Sequence, residues 1–463
     1  MFIFKQDKIT SYFKKTTSSS VLAVYRIGFG LIMLYSILRF WNKGWIKSIY
    51  LEPKFHFKYY GFEWVQVLGE WTYALFFLSI IFCLFITIGF KYKFSIIGFF
   101  LTFTYIELID KTTYLNHYYF ISILSFLLVF LPANAKFSID NLLRKKSYTH
   151  IPLWTIDVIK LLLIIVYLFA GIAKINSDWL LNAMPLSIWL KSKYDIFILG
   201  DLLQKAWVHY LFSWGGMLYD ITIPFLLLWK RTRFIAFCFV VIFHALTAIL
   251  FPIGMFPYIM IFSSIIFFNS NFHDKIISII KRPLIKGNIY LNIINHKLDE
   301  KKLVFKMYNE KIIIFIISIF FIIQILIPFR YMLYDGELFW TEQGYRFSWR
   351  VMLIEKMGYT TFTITDNNSN KKIVVNNQDF LTPLQEKQMS FQPDFILEYA
   401  HFLGDYYKSK GFSKPVVTAE SYVTLNGRPS QEFIDNKINL YLQNESFKNK
   451  SWILPLNDEI KGF

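Results

Sequence analysis

Long apolar runs fill the first 330 residues of the chain and then stop. Most of these runs are about 17 to 22 residues long, and an α-helix needs about 20 apolar residues to cross a bilayer. The pattern predicts an all-α polytopic membrane domain at residues 1–329, with about nine transmembrane helices. The fourth and eighth runs are short and contain more polar or bulky residues than the others. The predicted spans are 21–41, 72–90, 94–109, 115–132, 153–173, 207–229, 233–250, 254–268 and 311–329.

The loops between these spans carry unequal positive charge. The loops on the side of the N-terminus hold 22 Lys and Arg residues, and the loops on the opposite side hold 9. Cytoplasmic loops of membrane proteins are enriched in Lys and Arg. We therefore expect the N-terminus in the cytoplasm and, after an odd number of crossings, everything beyond Phe329 outside.

Residues 330–463 have a different pattern. Alternating apolar and polar residues at 359–365 and 371–375, separated by the turn residues 366–370, predict a β-hairpin. Pro393 begins an amphipathic stretch typical of a helix, and 415–425 predicts a strand that ends at the turn Asn426-Gly427. This part is predicted to be a soluble α+β domain with antiparallel strands.

The composition excludes several classes of protein. The chain of 463 residues is 55% hydrophobic, with a mean hydropathy of +0.40, which is too apolar for a soluble globular protein. Its net charge of +17 lies in short loops, so nucleic-acid binding is not indicated. Cys83 and Cys238 lie inside apolar runs and form no redox or metal motif. Hydrolase and phosphate-loop motifs are absent, and the scattered histidines predict no metal site.

Lys174 closes the continuous apolar run that starts at Leu161. An ammonium group in such a place is costly to desolvate, which favours the neutral amine, and a neutral amine can act as a base. The alternative is that Lys174 extends its amine to the lipid headgroups, as lysines near helix ends commonly do.

Other ionisable residues lie within the predicted spans, where each is a functional candidate because burial is costly. Asp157 and Lys160 are three residues apart on one helix and are expected to pair with each other. Arg26 and Asp220 are interpreted as an interhelical ion pair. His244 precedes a segment broken by prolines and is either a packing residue or part of a binding site.

Asn116 and His117 join the third and fourth spans on the same side as Lys174. Asn116 offers an amide donor, and the His117 imidazole accepts or relays a proton. Together with the neighbouring tyrosines they predict a polar, aromatic corner. Such a corner near a basic lysine suits the binding and deprotonation of a flat, lipid-soluble phenol or hydroquinone.

Several blocks of the sequence together carry a resemblance to a known family. They are 50–57, 108–119, 135–140, 151–154, 169–179 and 243–260 in the apolar part, and 345–349 and 425–433 beyond it. Through these blocks the chain resembles the vitamin K-dependent gamma-glutamyl carboxylase family, including its bacterial relatives. The resemblance covers most of the chain.

The resemblance implies a mechanism and its participants. A lysine at the position of Lys174 deprotonates reduced vitamin K, whose oxygenation to the epoxide drives the carboxylation of a peptide glutamate by carbon dioxide. It implies catalytic roles for Lys174 and His117 and a quinone pocket made by Asn116, His117, Lys174 and His244. The enzyme would be a carbon–carbon lyase whose partners are membrane lipid and a glutamate-containing peptide or protein. A lysine-rich composition typical of AT-rich bacteria implies the bacterial inner membrane and a menaquinol-type hydroquinone.

Two positions depart from the family pattern. The lumenal block carries Arg350 where the family has an acid, and Ala173 replaces the first lysine of the animal Lys-Lys pair. These departures leave open a rival function, a non-catalytic quinone-binding or transport-like membrane protein on the same scaffold.

Overall fold

Apolar helices form the N-terminal part of the computed structural model, which describes residues 11–197, 199–286 and 303–462. Seven described helices are long and apolar enough to cross a membrane, and two are shorter. The helices are α1 Ser20–Asn42, α2 Trp71–Ile88, α3 Tyr92–Ile109, α4 Asn116–Phe130, α5 Trp154–Ile172, α6 Ala206–Leu228, α7 Arg233–Leu250, α8 Phe256–Phe267 and α9 Glu310–Leu333.

The two shorter helices are the predicted fourth and eighth spans. Helix α4 has 15 residues, so it extends only about 22 Å, less than the roughly 30 Å of a hydrocarbon core. The count of nine crossings therefore stays a prediction. Seven and nine are both odd, so the predicted side of the C-terminal part is the same for either count. The basic residues within 1–10 and 287–302 lie outside the described residues.

Glycines allow close packing within the bundle. At Gly30 in α1, a Cβ atom would lie 2.9 Å from the Cys83 carbonyl oxygen of α2. At Gly171 in α5, it would lie 2.9 Å from the Ile221 nitrogen of α6. No larger side chain fits at these distances, so both helix pairs approach as they do because glycine is present.

The C-terminal domain is built on a four-stranded antiparallel sheet with the order β4-β3-β5-β6. The predicted hairpin and the predicted helix at Pro393 are both confirmed. The strands are β3 Lys356–Asp366, β4 Lys372–Val374, β5 Pro415–Leu425 and β6 Gln431–Glu432, and helices α10 Pro383–Met389 and α11 Pro393–Ser409 pack beside them. β5 pairs with β3 along its whole length but with β6 only at Tyr422 and Val423.

Two further strands and several further helices lie outside the elements named above. Strands β1 Thr16–Ser18 and β2 His150–Pro152 pair beside the helical bundle. A helix of 17 residues follows α8 at Ser270–Lys286. Shorter helices occur at Ile139–Arg144, Ser177–Asn182, Leu186–Lys191, Gly200–Leu203 and Leu338–Thr341. The C-terminal domain contacts the loop between α1 and α2, where the Phe57 and Phe395 rings lie 4.3 Å apart. One hydrophobic core runs from the sheet to Ala173 and Trp179 at the end of α5, so the domain packs directly against the Lys174 region.

Candidate active site

Lys174 lies two residues beyond the end of α5, and it is buried, with 6% of its surface exposed. Its Nζ atom donates to the Ala170 carbonyl at 3.0 Å and to Asp220 Oδ2 at 2.8 Å. The Trp179 ring centroid lies 5.4 Å from the same atom. Lys174 thus points into the protein and does not extend its amine to the headgroups.

Asp220 on α6 is the partner of Lys174, and the predicted pair of Asp220 with Arg26 is wrong. Arg26 instead donates to the carbonyl oxygens of Ala133 and Phe137. The physical reason is the close packing at Gly171, which brings Asp220 over the end of α5. The carboxylate at 2.8 Å gives the buried Lys174 amine a charge partner, which offsets part of the cost of burying it.

The expected pair of Asp157 and Lys160 is confirmed, with 3.0 Å between Lys160 Nζ and Asp157 Oδ1. Both side chains are partly exposed, and Tyr12 donates a further hydrogen bond to Asp157. This pair is bound within its own helix and lies apart from the buried Lys174–Asp220 pair.

A cavity of about 90 Å³ lies beside the Lys174–Asp220 pair. His244 on α7 also lines it, and its Nε2 atom is 3.2 Å from the Tyr167 hydroxyl. The buried Nδ1 atom of His244 has no hydrogen-bond partner among the described residues. Thr247 also lines the cavity, and its hydroxyl donates to the His244 carbonyl at 2.9 Å. The remaining walls are apolar or aromatic: Val166, Ala170, Trp179, Leu186, Phe212, Gly216, Phe243, Phe251, Ile253, Phe256, Met260, Val351 and Met352.

Asn116 and His117 do not line this cavity. The His117 ring lies behind Phe256, whose centroid is 6.0 Å from both His117 and His244. Asn116 donates its amide to the Arg350 carbonyl at 3.3 Å and accepts from the Tyr114 hydroxyl. The structure therefore brings Lys174 and His244 together, and it places His117 one aromatic ring away and Asn116 against the Arg350 carbonyl.

A larger cleft of about 690 Å³ lies between the outer loops of the helical part and the C-terminal domain. At its base Asp394 accepts two hydrogen bonds from Arg346, at 2.7 and 3.2 Å, and an ion pair from Lys111 at 2.8 Å. Burial alone would raise the pKa of Asp394, but the two cations hold that pKa well below its usual range. Lys111 also pairs with Glu398 at 3.0 Å, and although burial opposes it, the two carboxylates raise the pKa of Lys111.

Two further cations in the cleft, Lys58 and Arg330, form no ion pair with a carboxylate within the described ranges. Lys58 donates its amine to the Ile109 carbonyl, and Arg330 donates to the Ile327 carbonyl and to Ser348 Oγ. The carbonyl and hydroxyl partners of Arg330 leave its positive charge uncompensated, whereas Asp110 and Glu398 lie close enough to Lys58 to balance part of its charge. Arg330 is therefore available to an anionic ligand.

Two family models match the sequence. The HTTM domain model matches residues 13–272, more than half of the chain, and the model of the vitamin K-dependent gamma-carboxylase lumenal domain matches residues 309–459. The chain belongs to the vitamin K-dependent gamma-carboxylase family. No solved structure matches it. The family model and the seven apolar helices together describe a gamma-carboxylase-like membrane protein with a lumenal-type domain.

In this gamma-carboxylase-like protein, one segment of the lumenal-type domain reaches both the cleft and the cavity. Arg346 and Phe347 line the cleft, while Val351 and Met352 line the cavity beside Lys174. The start of α4 supports this segment, because Phe347 donates its backbone N–H to the Tyr114 hydroxyl at 2.8 Å and Asn116 binds the Arg350 carbonyl. Phe347, Trp349 and Met352 have positive φ angles, a costly conformation that occurs often at functional sites.

Sequence reasoning named Asp220 but missed its pairing with Lys174, and it missed the contribution of Val351 and Met352 to the cavity. Gly171 was the available signal for Asp220, since a small residue one turn before Lys174 allows a neighbouring helix to approach. Val351 and Met352 carry no chemical signal, because their importance comes only from the packing of the two domains.

Proposed function

We propose that this protein is a membrane gamma-glutamyl carboxylase that couples the oxygenation of reduced vitamin K to the carboxylation of glutamate in a peptide. The observation that carries this proposal is the buried Lys174–Asp220 pair in an apolar cavity, beside a histidine with an unpartnered ring nitrogen. A single proton-accepting pair in an apolar, aromatic pocket is suited to an aromatic diol that arrives from the membrane.

The residues of the cavity fit the chemistry of a hydroquinone. Aromatic and aliphatic side chains match its ring, and Lys174 and His244 match its two hydroxyl groups. The cavity is smaller than ligand pockets generally are, at about 300–1,000 Å³. We therefore propose that residues 251–255, between α7 and α8, and the Met352 side chain move when the ring enters.

When bound, reduced vitamin K would supply the strong base by reaction with oxygen, and carbon dioxide would supply the carboxyl group. The protein supplies the first proton acceptor. Transfer of one proton from Lys174 Nζ to Asp220 Oδ2 converts the buried ion pair into a neutral amine and a neutral acid without a change in net charge. The Lys174 amine then accepts the hydroxyl proton, and His244 binds the other end of the ring through Nδ1.

The peptide substrate would bind in the cleft. Arg330 offers uncompensated positive charge to a glutamate side chain, and Lys58 also lines the cleft. The segment from Arg346 to Met352 leads from the cleft to the cavity.

We place the protein in a bacterial inner membrane, with the N-terminus in the cytoplasm and the C-terminal domain in the periplasm. The support is the loop charge of 22 against 9, which is counted for the nine predicted crossings. Asn367 lies exposed in the turn between β3 and β4. Asn367→Cys should react with a membrane-impermeant thiol reagent in intact spheroplasts, and labelling only after lysis would invert this orientation.

The test of the function is epoxide formation from reduced vitamin K by the purified protein, with peptide carboxylation measured in the same reaction. Lys174→Ala and Lys174→Arg should abolish both, because arginine keeps the charge but stays protonated. A Lys174→Arg protein with the wild-type rate would refute the role of the base. Bound quinone without epoxide formation would support the non-catalytic alternative.

A further inference from the structure

The chain that follows Lys174 is held by the C-terminal domain. Asp178, in the short helix Ser177–Asn182, is 1% exposed and forms a bidentate ion pair with Arg428, with both N–O distances at 2.7 Å. Asn426 donates to the same carboxylate at 2.8 Å. Arg428 and Asn426 belong to the turn that follows β5. The end of this strand of the lumenal-type domain therefore contacts the helix Ser177–Asn182, which follows Lys174.

A second contact comes from the C-terminal residues. Ser177 donates its backbone N–H to the Lys461 carbonyl at 2.7 Å, and the Lys461 N–H donates to Ser177 Oγ at 3.0 Å. A helix of six residues is too short to be stable by itself in water. Its position therefore depends on its neighbours: these contacts with the other domain, and bonds from Tyr210 and Trp214 of α6 to the Leu181 and Leu180 carbonyls.

The same helix sets the surroundings of the Lys174 amine. Trp179, next to Asp178, places its ring 5.4 Å from Lys174 Nζ and donates its indole N–H to the Ser213 carbonyl at 2.7 Å. Asn176 caps the helix by accepting the Trp179 N–H at 2.9 Å, and its amide donates to the Ala173 carbonyl. Any displacement of Asp178 thus moves both the ring beside Lys174 and the backbone next to it.

We infer that Asp178 and Arg428 are positioning residues for Lys174, so that the lumenal-type domain completes the site of the base. This inference rests on the proposed role of Lys174. A shift of about 1 Å in a reacting group can lower a rate about a hundredfold. Because Asp178 and Arg428 touch no cavity atom, their loss should lower the rate of the chemical step and leave hydroquinone binding nearly unchanged.

The chain offers a matched control for this experiment. Arg428 also pairs through Nε with Asp458 at 2.8 Å, and the Asp458 side chain is 55% exposed. Asp458→Asn removes one carboxylate from Arg428 but keeps its bonds to Asp178. Asp178→Asn and Arg428→Gln break the buried pair, and Arg428→Lys keeps the charge but loses the bidentate geometry.

Two measurements are made on each purified variant. The first gives kcat and KM separately for hydroquinone oxygenation. The second is the rate at which acetic anhydride acetylates Lys174 in the absence of hydroquinone, followed by mass spectrometry of the Lys174 peptide. Asp178→Asn and Arg428→Gln should lower kcat by about 10- to 100-fold with KM within about threefold. Acetylation should be about tenfold faster in both, because local opening exposes the amine.

Arg428→Lys should give an intermediate kcat, and Asp458→Asn should match the wild type in both measurements. Should Arg428→Gln not fold, the Arg428→Lys result decides. An unchanged kcat in Asp178→Asn and Arg428→Lys would overturn the inference and leave the pair as a plain domain contact. If the wild-type protein does not oxygenate hydroquinone, the proposed function fails, while the acetylation rates still show whether the pair positions Lys174.

Discussion

The cavity and the cleft of this protein differ in the number and arrangement of their charged side chains. The cavity of about 90 Å³ contains one ion pair, Lys174–Asp220, among apolar walls, whereas ten charged side chains line the cleft of about 690 Å³. An isolated pair in an apolar environment has no neighbour to compensate for a lost partner. Charges in a network share their partners, so the loss of one is partly compensated.

This difference fits two kinds of ligand. A site that must move a single proton benefits from few polar groups, since each further charge would compete for that proton. A site that must hold a charged peptide at the membrane surface benefits from several cations and carboxylates that fix its orientation. The segment from Arg346 to Met352 connects the two, which is the arrangement that a coupled reaction requires.

The largest effect is expected from breaking the isolated pair. Asp220→Asn should lower hydroquinone oxygenation at least about a hundredfold, because Lys174 loses the group that exchanges its proton. It should also lower the free energy of unfolding by about 3–5 kcal/mol, since an unpaired buried ammonium remains. The measurements are epoxide formation and thermal unfolding in detergent.

Two variants separate catalysis from stability in that experiment. The double variant Lys174→Met with Asp220→Leu should regain the stability but stay inactive, because an apolar pair of similar volume needs no charge partner. Lys160→Met, which breaks the partly exposed pair with Asp157, should change stability by about 0.5 kcal/mol or less. A wild-type rate in Asp220→Asn would remove Asp220 from the mechanism.

The sequence predicted the helices and strands better than it predicted which side chains pair with each other. Apolar length alone located the long helices, and alternation located β3, β4 and β5, because these patterns are local. The pairing of Asp220 was assigned to Arg26, since nothing in a linear pattern shows which helices are neighbours. Lys174 could be identified from the sequence because it follows a continuous apolar run, where a charged side chain is costly to bury. Val351 and Met352 could not, because they reach the cavity only through the packing of the two domains.

An intermediate effect is expected at Asp110, where the two domains meet beside the cleft. Its carboxylate accepts from the Thr112 N–H at 2.8 Å and from Gln385 of α10 at 3.1 Å. Burial raises the pKa of Asp110 from 3.8 to about 6 in spite of these bonds. The folded protein therefore keeps a proton between about pH 4 and pH 6 that the unfolded chain has released, and stability falls as the pH rises through this range.

The shift corresponds to about 3 kcal/mol at most, at 1.36 kcal/mol per pKa unit. The measurement is the unfolding temperature of the wild type minus that of Asp110→Asn, from pH 4 to pH 7. This difference should fall as the pH rises towards 6 and become constant above it. A difference that is constant over the whole range would mean that Asp110 titrates at its ordinary value. Asp394, with a lowered pKa in the same cleft, should instead lose its contribution only in stronger acid.

The smallest effect is expected in the cleft, from the uncompensated charge of Arg330. Arg330→Gln should raise the KM for a glutamate peptide about tenfold, which corresponds to about 1.4 kcal/mol, the loss of one charge-assisted hydrogen bond in a site with other cations. Arg330→Lys should give a smaller increase because it keeps the charge. Lys371→Gln, in the exposed turn between β3 and β4, is the control for net charge alone. Equal increases in KM for Arg330→Gln and Lys371→Gln would show that the peptide responds to the overall field of the domain, and the cleft would lose its assignment as the place where the glutamate binds.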